Sequence, residues 1–253
     1  MMLTGNICLS ALMCGCCMLA MCLTTFKNDL NQIQFQDSLC IFRAYITYVS
    51  GALFINSFLL TAIRQYFTVI YRNHLYFQSI RFQFLLICLT WILGLLFPMP
   101  TIFTGDIRYN VDNQICQVYL GFSFSIIYIS LCTYGIPVPF IIFIYFKLVR
   151  YVHDISNRVI PVNTLSRAKK ELKMVQNIVI LVFILLILGV PYVLFILMSF
   201  FTKPPKYHFR IAYLFIEVSL VFVLLALFQF TEPVKAWMMR KINRRLNMVA
   251  AII

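Results

Sequence analysis

The sequence predicts an all-α, polytopic transmembrane helical bundle. Hydrophobic residues make up 62% of the 253 residues and charged residues only 11%, whereas a soluble domain carries about 25% charged residues. The charges lie in short clusters between apolar runs that are long enough to cross a bilayer. We therefore expect one transmembrane domain over residues 1–253. The net charge of +13 then reflects membrane topology, and no nucleic-acid partner is expected.

Six runs of the chain supply the predicted spans. A helix needs about 20 apolar residues to cross a bilayer, because its own hydrogen bonds must satisfy the backbone where water is absent. Taken in order, the runs are Met1–Phe26, Ala44–Ile63, Phe82–Gly105, Asn113–Phe146, Met174–Thr202 and Ile211–Thr231, of which only the last contains a charge. The spans predicted from them cover about residues 3–24, 40–63, 82–104, 119–146, 172–202 and 209–231.

Two features of the first and last segments need a separate argument. The first run lacks the basic start of a secretory signal and continues past the usual length of a signal core, so it is interpreted as a span. After the last span, basic and apolar side chains alternate with helical periodicity. This pattern predicts an amphipathic helix on the membrane surface at about residues 235–247.

The basic residues predict the orientation of the bundle, since cytoplasmic loops carry an excess of Lys and Arg. Fifteen of the 21 Lys and Arg residues fall on one face: Arg64, Arg72, Arg81, Lys147, Arg150, Arg158, Arg167, Lys169, Lys170, Lys173, Lys235, Arg240, Lys241, Arg244 and Arg245. Five others fall on the opposite face, and Arg43 lies just inside the second span. The face with fifteen is predicted to be cytoplasmic, together with both chain ends.

Several motifs follow one another in an order and spacing that resemble one family. They are Cys40, Arg64-Gln65-Tyr66 twenty-four residues later, Trp91, Cys116, Pro137 with Tyr145, Glu171 with Pro191 twenty residues later, and Glu232-Pro233. The pattern resembles the rhodopsin-like (class A) G-protein-coupled receptors. In this alignment the six spans are similar to the family's helices two to seven, and its first helix is missing. The resemblance implies a divergent invertebrate orphan receptor, present as a gene-model fragment, a truncated isoform or a degenerate copy.

The resemblance also implies a disulfide bond between Cys40 and Cys116, both at predicted outer positions. The alternative is two unrelated thiols. The other seven cysteines lie within spans and are interpreted as small packing residues, because they are not grouped as metal ligands. Neither a metal site nor a cofactor is expected.

Six residues are candidates for a ligand cavity. Arg43 and Glu217 are ionisable groups near the cavity rim in the resemblance, and charge in a membrane is costly unless it is paired or reaches water. We expect them to pair with each other or with a polar ligand group; the alternative is that each reaches the outer surface by snorkelling. Four aromatic residues are the other candidates, with lipid-facing or core packing as their alternative role: Tyr45, Tyr48, Tyr192 and Phe195.

The resemblance assigns an activation switch and G-protein-facing residues to the cytoplasmic side: Arg64, Gln65, Tyr66, Tyr145, Glu171, Pro191, Glu232 and Pro233. The sequence departs from the family at several of these places. Gln65 stands where the family has its central Arg, so an inner salt bridge would have to join Arg64 to Glu171. Gly189 replaces the Trp before Pro191, Ala11 replaces the sodium-site Asp, and Ala236 replaces the Tyr after Pro233.

The expected function is a G-protein-coupled receptor in the plasma membrane that binds an unknown extracellular ligand. Its expected partners are membrane lipid, this ligand and a heterotrimeric G protein. The basic connection before the fifth span would meet either the G protein or anionic lipid. A truncated or degenerate protein without signalling is the main alternative, and a small-solute transporter is less favoured because inverted repeats are absent. An enzyme is not expected, because no catalytic constellation occurs.

Overall fold

A computed structural model describes residues 2–31, 36–70, 79–121, 123–156, 162–202 and 205–230. Its helices are α1 (Met2–Leu30), α2 (Cys40–Ile70), α3 (Ile80–Leu96), α4 (Met99–Phe103), α5 (Phe124–Ser130), α6 (Pro137–Ser156), α7 (Val162–Phe201) and α8 (His208–Phe230). A β-hairpin, β1 (Ile107–Asn110) and β2 (Ile115–Val118), lies between α4 and α5, and a π-helical turn (Leu131–Gly135) joins α5 to α6. The expected tail helix at residues 235–247 lies outside the described residues.

Six helical segments in the described part of the chain are long and apolar enough to cross a membrane. They are Met2–Leu30, Cys40–Ile70, Ile80–Phe103, Phe124–Asp154, Val175–Phe201 and His208–Leu227. Large apolar side chains remain exposed on the outside of these segments, as at Ile187, which is 66% exposed. Such a surface suits hydrocarbon rather than water. The predicted class, a polytopic transmembrane helical bundle, is confirmed.

Helix α2 forms the centre of the bundle. It contacts α1, α3, α6, α7, the π turn and both strands. In its most apolar window 61% of the residues are buried, against 17–33% in the other five segments. The helices around α2 therefore keep one side for lipid, whereas α2 is surrounded mainly by protein.

The two ends of the bundle differ in character. At the hairpin end, defined here as the end where α2 begins and the β-hairpin lies, α1, α4 and α7 finish and α5 and α8 start. At the opposite, basic end, α2 and α6 finish and α7 starts. Exposed Lys147, Arg150, Lys169 and Lys173 lie near this basic end.

A buried polar network joins α1, α2 and α3. The Asn6 side chain donates to Ser57 Oγ over 2.8 Å and accepts from the Trp91 indole N–H over 2.9 Å. Ser10 Oγ lies 3.3 Å from the same Ser57 oxygen. Because hydrocarbon offers no competing partners, hydrogen bonds of this kind hold transmembrane helices together.

Tyrosine hydroxyls from neighbouring helices donate to carbonyls at the break between α3 and α4. Pro98 and Pro100 have no N–H, so carbonyls in the preceding turn lose their usual helical partner. The Tyr45 hydroxyl on α2 donates to the Leu95 carbonyl over 2.5 Å, and the Tyr128 hydroxyl on α5 donates to the Phe97 carbonyl over 3.1 Å. Two carbonyls at the break thus have protein partners, although the carbonyls that the prolines themselves leave without a helical donor are those of Gly94 and Leu96.

The π turn before Pro137 has a similar cause. Pro137 cannot donate to the Thr133 carbonyl four residues earlier. The Ile136 N–H instead donates to the Leu131 carbonyl, five residues back, over 2.8 Å. A wider turn of this type accommodates the proline without ending the membrane crossing. Pro191, by contrast, lies inside the continuous helix α7.

The β-hairpin is an element that the sequence analysis missed. Its strands are antiparallel, with Ile107 opposite Val118 and Asn110 opposite Ile115. Gln114 closes the connecting turn with a positive φ of 56°, and the Asn110 carboxamide accepts from the Asn113 backbone N–H over 3.0 Å. All four residues of β2 are buried, so the strand has no alternation of exposed and buried side chains that would reveal it.

A glycine sets the close approach of α2 and α3, and a methyl group there is expected to destabilise the fold. A Cβ at Gly94 would lie 2.5 Å from Leu53 Cδ2, and Leu53 is only 1% exposed. We expect Gly94→Ala to lower the free energy of unfolding by about 1 kcal/mol, the lower end of the usual overpacking cost. Thermal unfolding in detergent measures the effect.

The matched control for this substitution is Gly51→Ala, also inside a helix. A Cβ at Gly51 would meet no atom within 4 Å. This variant should be neutral or slightly more stable, because alanine is the better helix former. Equal melting temperatures for the two variants would contradict the packing role of Gly94.

Candidate functional site

The hairpin is covalently attached to the centre of the bundle. Cys40, the first residue of α2, forms a disulfide bond with Cys116 of β2, with Cα atoms 5.5 Å apart. Both cysteines are buried. The predicted bond is therefore confirmed, and it fixes β2 against the start of α2.

Two further contacts hold the hairpin across the end of the bundle. In its turn, the Asn113 side chain donates to the Lys206 carbonyl, in the connection before α8, over 3.3 Å. At its base, the Ser125 hydroxyl on α5 donates to the Asp106 carboxylate. This hydrogen bond, with help from Thr104, lowers the pKa of Asp106. The hairpin is thus attached to α2, α5 and the connection before α8.

Beneath the hairpin, Tyr48 connects α2 to β2. Its hydroxyl donates to the Gln117 side-chain oxygen and accepts from the Val118 backbone N–H over 3.2 Å. Gln117 is only 2% exposed, and its side-chain nitrogen has no hydrogen-bond partner in the described part of the chain. A donor is therefore free directly below the hairpin.

Three tyrosines, which we call the tyrosine layer, come together at this level: Tyr48, Tyr192 and Tyr213. The side chains of Tyr48 and Tyr192 interact with each other, and Tyr213 lies within electrostatic range of both. With a rise of about 1.5 Å per residue, their Cα atoms lie about 8–14 Å below the ends of α2, α7 and α8. The layer thus joins three helices in the half of the bundle nearest the hairpin end.

The structure brings together only two of the four aromatic cavity candidates. Tyr48 and Tyr192 belong to the tyrosine layer. Tyr45 donates instead to the Leu95 carbonyl at the break after α3, and Phe195 packs edge-on against His208 with ring centroids 6.1 Å apart. Tyr45 and Phe195 therefore have contacts of their own in helix packing.

The expected ion pair between Arg43 and Glu217 is not formed. Arg43 instead binds Asp37, just ahead of α2, over 2.9 Å. This hydrogen bond lowers the pKa of the exposed Asp37 carboxyl. Glu217 accepts from the Cys22 thiol on α1 over 2.9 Å. Asp37, close to Arg43 in the chain, forms the ion pair with Arg43. Glu217 forms its hydrogen bond with α1 instead.

A second ion pair closes the rim between α1 and α8. Arg210 binds both carboxylate oxygens of Asp29, at 2.7 and 3.1 Å. The guanidinium also lies over the Tyr207 ring, 5.1 Å from its centroid. Nearby on β1, burial raises the pKa of Tyr109, while the charge of Arg210 opposes this shift. The rim is therefore held by charge as well as by the disulfide.

A groove of about 440 Å³ lies on another side of the bundle, between α2, α3 and the α5–π region. Its walls are mostly apolar, and exposed Leu93 and Leu96 border it. None of the six ligand-cavity candidates lines this groove. It is separate from the tyrosine layer.

At the basic end, the switch candidates on α2 are largely enclosed. Gln65 is 1% exposed, and neither of its side-chain polar atoms has a hydrogen-bond partner among the residues that the structure describes. Arg64 Nε is also buried without a partner. Tyr66 on α2 and Tyr145 on α6 pack against the hydrophobic core.

The remaining switch candidates are only partly described. Pro191 adjoins Tyr192 inside α7. Glu171 belongs to α7, but its side chain lies outside the described part, so the expected contact between Arg64 and Glu171 stays a prediction. Glu232 and Pro233 lie beyond the last described residue.

Comparison with known protein families decides the affiliation of this bundle. Residues 2–228 match the family described as 7 transmembrane receptor (rhodopsin family). The chain belongs to this family. The resemblance seen in the sequence is confirmed, and membership points to a membrane receptor rather than an enzyme. A search of curated proteins finds no match to this receptor.

Sequence reasoning missed three residues of the receptor's candidate site: Tyr213, Gln117 and Cys22. Tyr213 lies one helical turn before Glu217, and this spacing could have indicated that the two side chains share a face of the helix. Gln117 follows Cys116, and the implied disulfide places it near α2. Cys22 carries no signal of its own, because it is one of several cysteines in an apolar helix.

Proposed function

We propose that this receptor binds an extracellular ligand at the tyrosine layer and passes the signal to a heterotrimeric G protein. The basic end then faces the cytoplasm of the plasma membrane, in agreement with the excess of Lys and Arg there. The hairpin end faces outward, where a disulfide bond is stable.

The observation that carries this proposal is the meeting of four segments at one set of hydroxyl groups. Tyr48 belongs to α2 and bonds to β2, while Tyr192 and Tyr213 belong to α7 and α8. A ligand that replaces these contacts therefore acts on several helices at once. Differential contacts of this kind are what shift a conformational equilibrium.

Helix α7 offers a route for the signal and has an unfilled position close to the tyrosine layer. Gly189 lies one turn from Tyr192 on the same face, and a Cβ there would meet no atom within 4 Å. From Tyr192, the helix continues without interruption to Val162 at the basic end. A tilt of α7 at the tyrosine layer is therefore transmitted along its length.

The basic end supplies the surface for a cytoplasmic partner. Lys147 and Arg150 on α6 and Lys169 and Lys173 on α7 are all exposed. Positive charge of this density attracts acidic protein surfaces and anionic lipid, each basic residue contributing about 1 kcal/mol near a charged membrane. We assign the protein-facing role to α6 and α7.

A second candidate function is a membrane protein without signalling. The observation in its favour is Gln65, a neutral and buried residue at the position where the resemblance places the family's central Arg. An amide cannot form the salt bridge that an Arg forms. The receptor proposal therefore requires Arg64 or another basic residue in that role.

Nucleotide exchange on membranes that contain the receptor tests the proposal. A ligand panel should yield at least one compound that accelerates exchange on one G-protein class. Tyr48→Phe should then raise the half-maximal ligand concentration about tenfold, since losing one hydrogen bond within a site costs about 1–1.5 kcal/mol.

The matched control is Tyr119→Phe, which removes the hydroxyl of a tyrosine that is 65% exposed. Its half-maximal concentration should equal that of the unmodified receptor. If all ligands are silent with all G-protein classes, and basal exchange equals that of empty membranes, the signalling proposal fails and the second candidate stands.

A further inference from the structure

We infer that the ligand of the tyrosine layer carries a cationic amine, and that Glu217 is its counter-ion. This inference rests on the proposed function and names the ligand class for the same site. The juxtaposition behind it is a carboxylate that pairs with no cation among the described residues and that lies one helical turn from Tyr213 of the tyrosine layer.

The position of Glu217 makes its charge state important. It lies nine residues into α8, or about 14 Å along the helix from the hairpin end. The Cys22 partner lies eight residues before the end of α1, at a similar depth. Both are inside segments that cross the membrane. An ionisable group at such depth is costly unless it is paired or reaches water, and it marks a functional site by default.

No cation of the described part of the chain neutralises Glu217. The ion pairs found there are Arg43–Asp37, His153–Asp154 and Arg210–Asp29. Arg210 is two helical turns above Glu217 on α8, yet both of its terminal nitrogens bind Asp29. Among the described residues, Glu217 has only the Cys22 thiol, at 2.9 Å, and a thiol is a weak donor.

The surroundings of Glu217 fit an ammonium group. Tyr213 precedes it by one turn on the same face and lies within electrostatic range of Cys22, Tyr48 and Tyr192. The faces of tyrosine rings attract cations, by about 2 kcal/mol or more where water is excluded. A carboxylate one helical turn from Tyr213, which in turn adjoins the other two tyrosines of the layer, is therefore a site for a protonated or quaternary amine.

A second observation indicates a ligand at the same site. The Gln117 side-chain nitrogen is buried without a partner, although its oxygen accepts from Tyr48. A free donor of this kind is costly to bury. A hydrogen-bond acceptor on the ligand would satisfy it. The ligand class is thus an amine at one end, toward Glu217, with an acceptor group toward Gln117.

Binding to the purified receptor in lipid nanodiscs tests this inference without a G protein. The probes are phenylalkyl compounds in three matched forms, amine, alcohol and carboxylic acid, and the readout is the ligand-induced rise in melting temperature. At least one amine should reach its half-maximal effect at a concentration tenfold or more below that of its alcohol and acid. Glu217→Gln should abolish this preference, and Glu217→Asp should retain part of it.

Two further variants keep the test decisive if Glu217→Gln does not fold. Cys22→Ser keeps the carboxylate and should keep the amine preference, whereas Tyr213→Leu should reduce it about tenfold by removing a ring face. Equal effects of amines and alcohols on the unmodified receptor would overturn the inference. So would an undiminished amine preference in Glu217→Gln.

The outcome is distinguishable from that of the signalling test. Amine binding without nucleotide exchange supports Glu217 as the counter-ion and refutes the proposed signalling to a G protein. Nucleotide exchange driven only by neutral or acidic ligands supports the coupling and refutes the amine.

Discussion

Replacing Cys40 by serine is expected to remove most of the folded receptor from the cell surface. The Cys40–Cys116 bond joins residues 76 positions apart, and loss of a native disulfide typically costs about 2–5 kcal/mol. That range is a large part of the total stability of most proteins. Surface labelling of intact cells and thermal unfolding of the purified protein measure the loss.

Two comparisons show whether the bond itself is responsible. The double variant Cys40→Ser with Cys116→Ser should be no less stable than either single variant, because the two residues act as one unit. Cys132→Ser changes a free, partly buried cysteine and should leave surface labelling near that of the unmodified receptor. Normal surface levels for Cys40→Ser would show that the bond does not stabilise the fold.

In contrast to the loss of stability expected for Cys40→Ser, replacing Gln65 by methionine is expected to stabilise the receptor. Both polar atoms of this side chain are buried and find no hydrogen-bond partner within the described ranges, and each such group costs about 1–3 kcal/mol. Methionine has a similar shape and no strong polar group. We expect the free energy of unfolding to rise by about 1–3 kcal/mol, measured as a higher melting temperature in nanodiscs.

Gln83→Met is the comparison for this substitution. Gln83 is also buried, at 7% exposure, but it takes part in a further interaction. Methionine there should leave the melting temperature unchanged or lower it. A fall in stability for Gln65→Met would mean that the Gln65 amide is stabilising where it stands.

The charge-free runs located the membrane crossings but not the ends of the helices. The first run stops before Lys27, whereas α1 continues to Leu30, and Asp29 in this extension meets Arg210. Helix α7 likewise begins at Val162, well before the predicted start at 172. Charges end a hydrophobic run but do not end a helix, because helices continue into water with polar side chains.

The hairpin was hidden for a different reason. Its second strand, Ile115–Val118, falls inside the run from Asn113 to Phe146 that was interpreted as the start of a span. A run of four buried, uncharged residues is equally compatible with a strand and with a helix. The disulfide, implied by family resemblance, was the sequence feature that brought this segment near α2.

The meeting of two aromatic residues was foreseen from the sequence, but the pairing of the charges was not, and the ligand-binding role of these residues stays a prediction. Tyr48 and Tyr192 were selected from sequence and do meet. The expected partner of Arg43 was Glu217, but Asp37 lies only six residues earlier in the chain and binds Arg43. Competition between a near and a distant carboxylate depends on backbone geometry that residue order does not contain.

The hairpin connects parts of the chain that are far apart in sequence. One strand is bonded covalently to the start of α2, and its turn is bonded to the Lys206 carbonyl ahead of α8. A molecule that displaces β2 from below therefore acts on the start of α2 and on the connection ahead of α8, because the hairpin is attached to both. Because Tyr48 also binds β2, a ligand that reached the tyrosine layer from the hairpin end would first have to displace this hydrogen bond, which would slow its association.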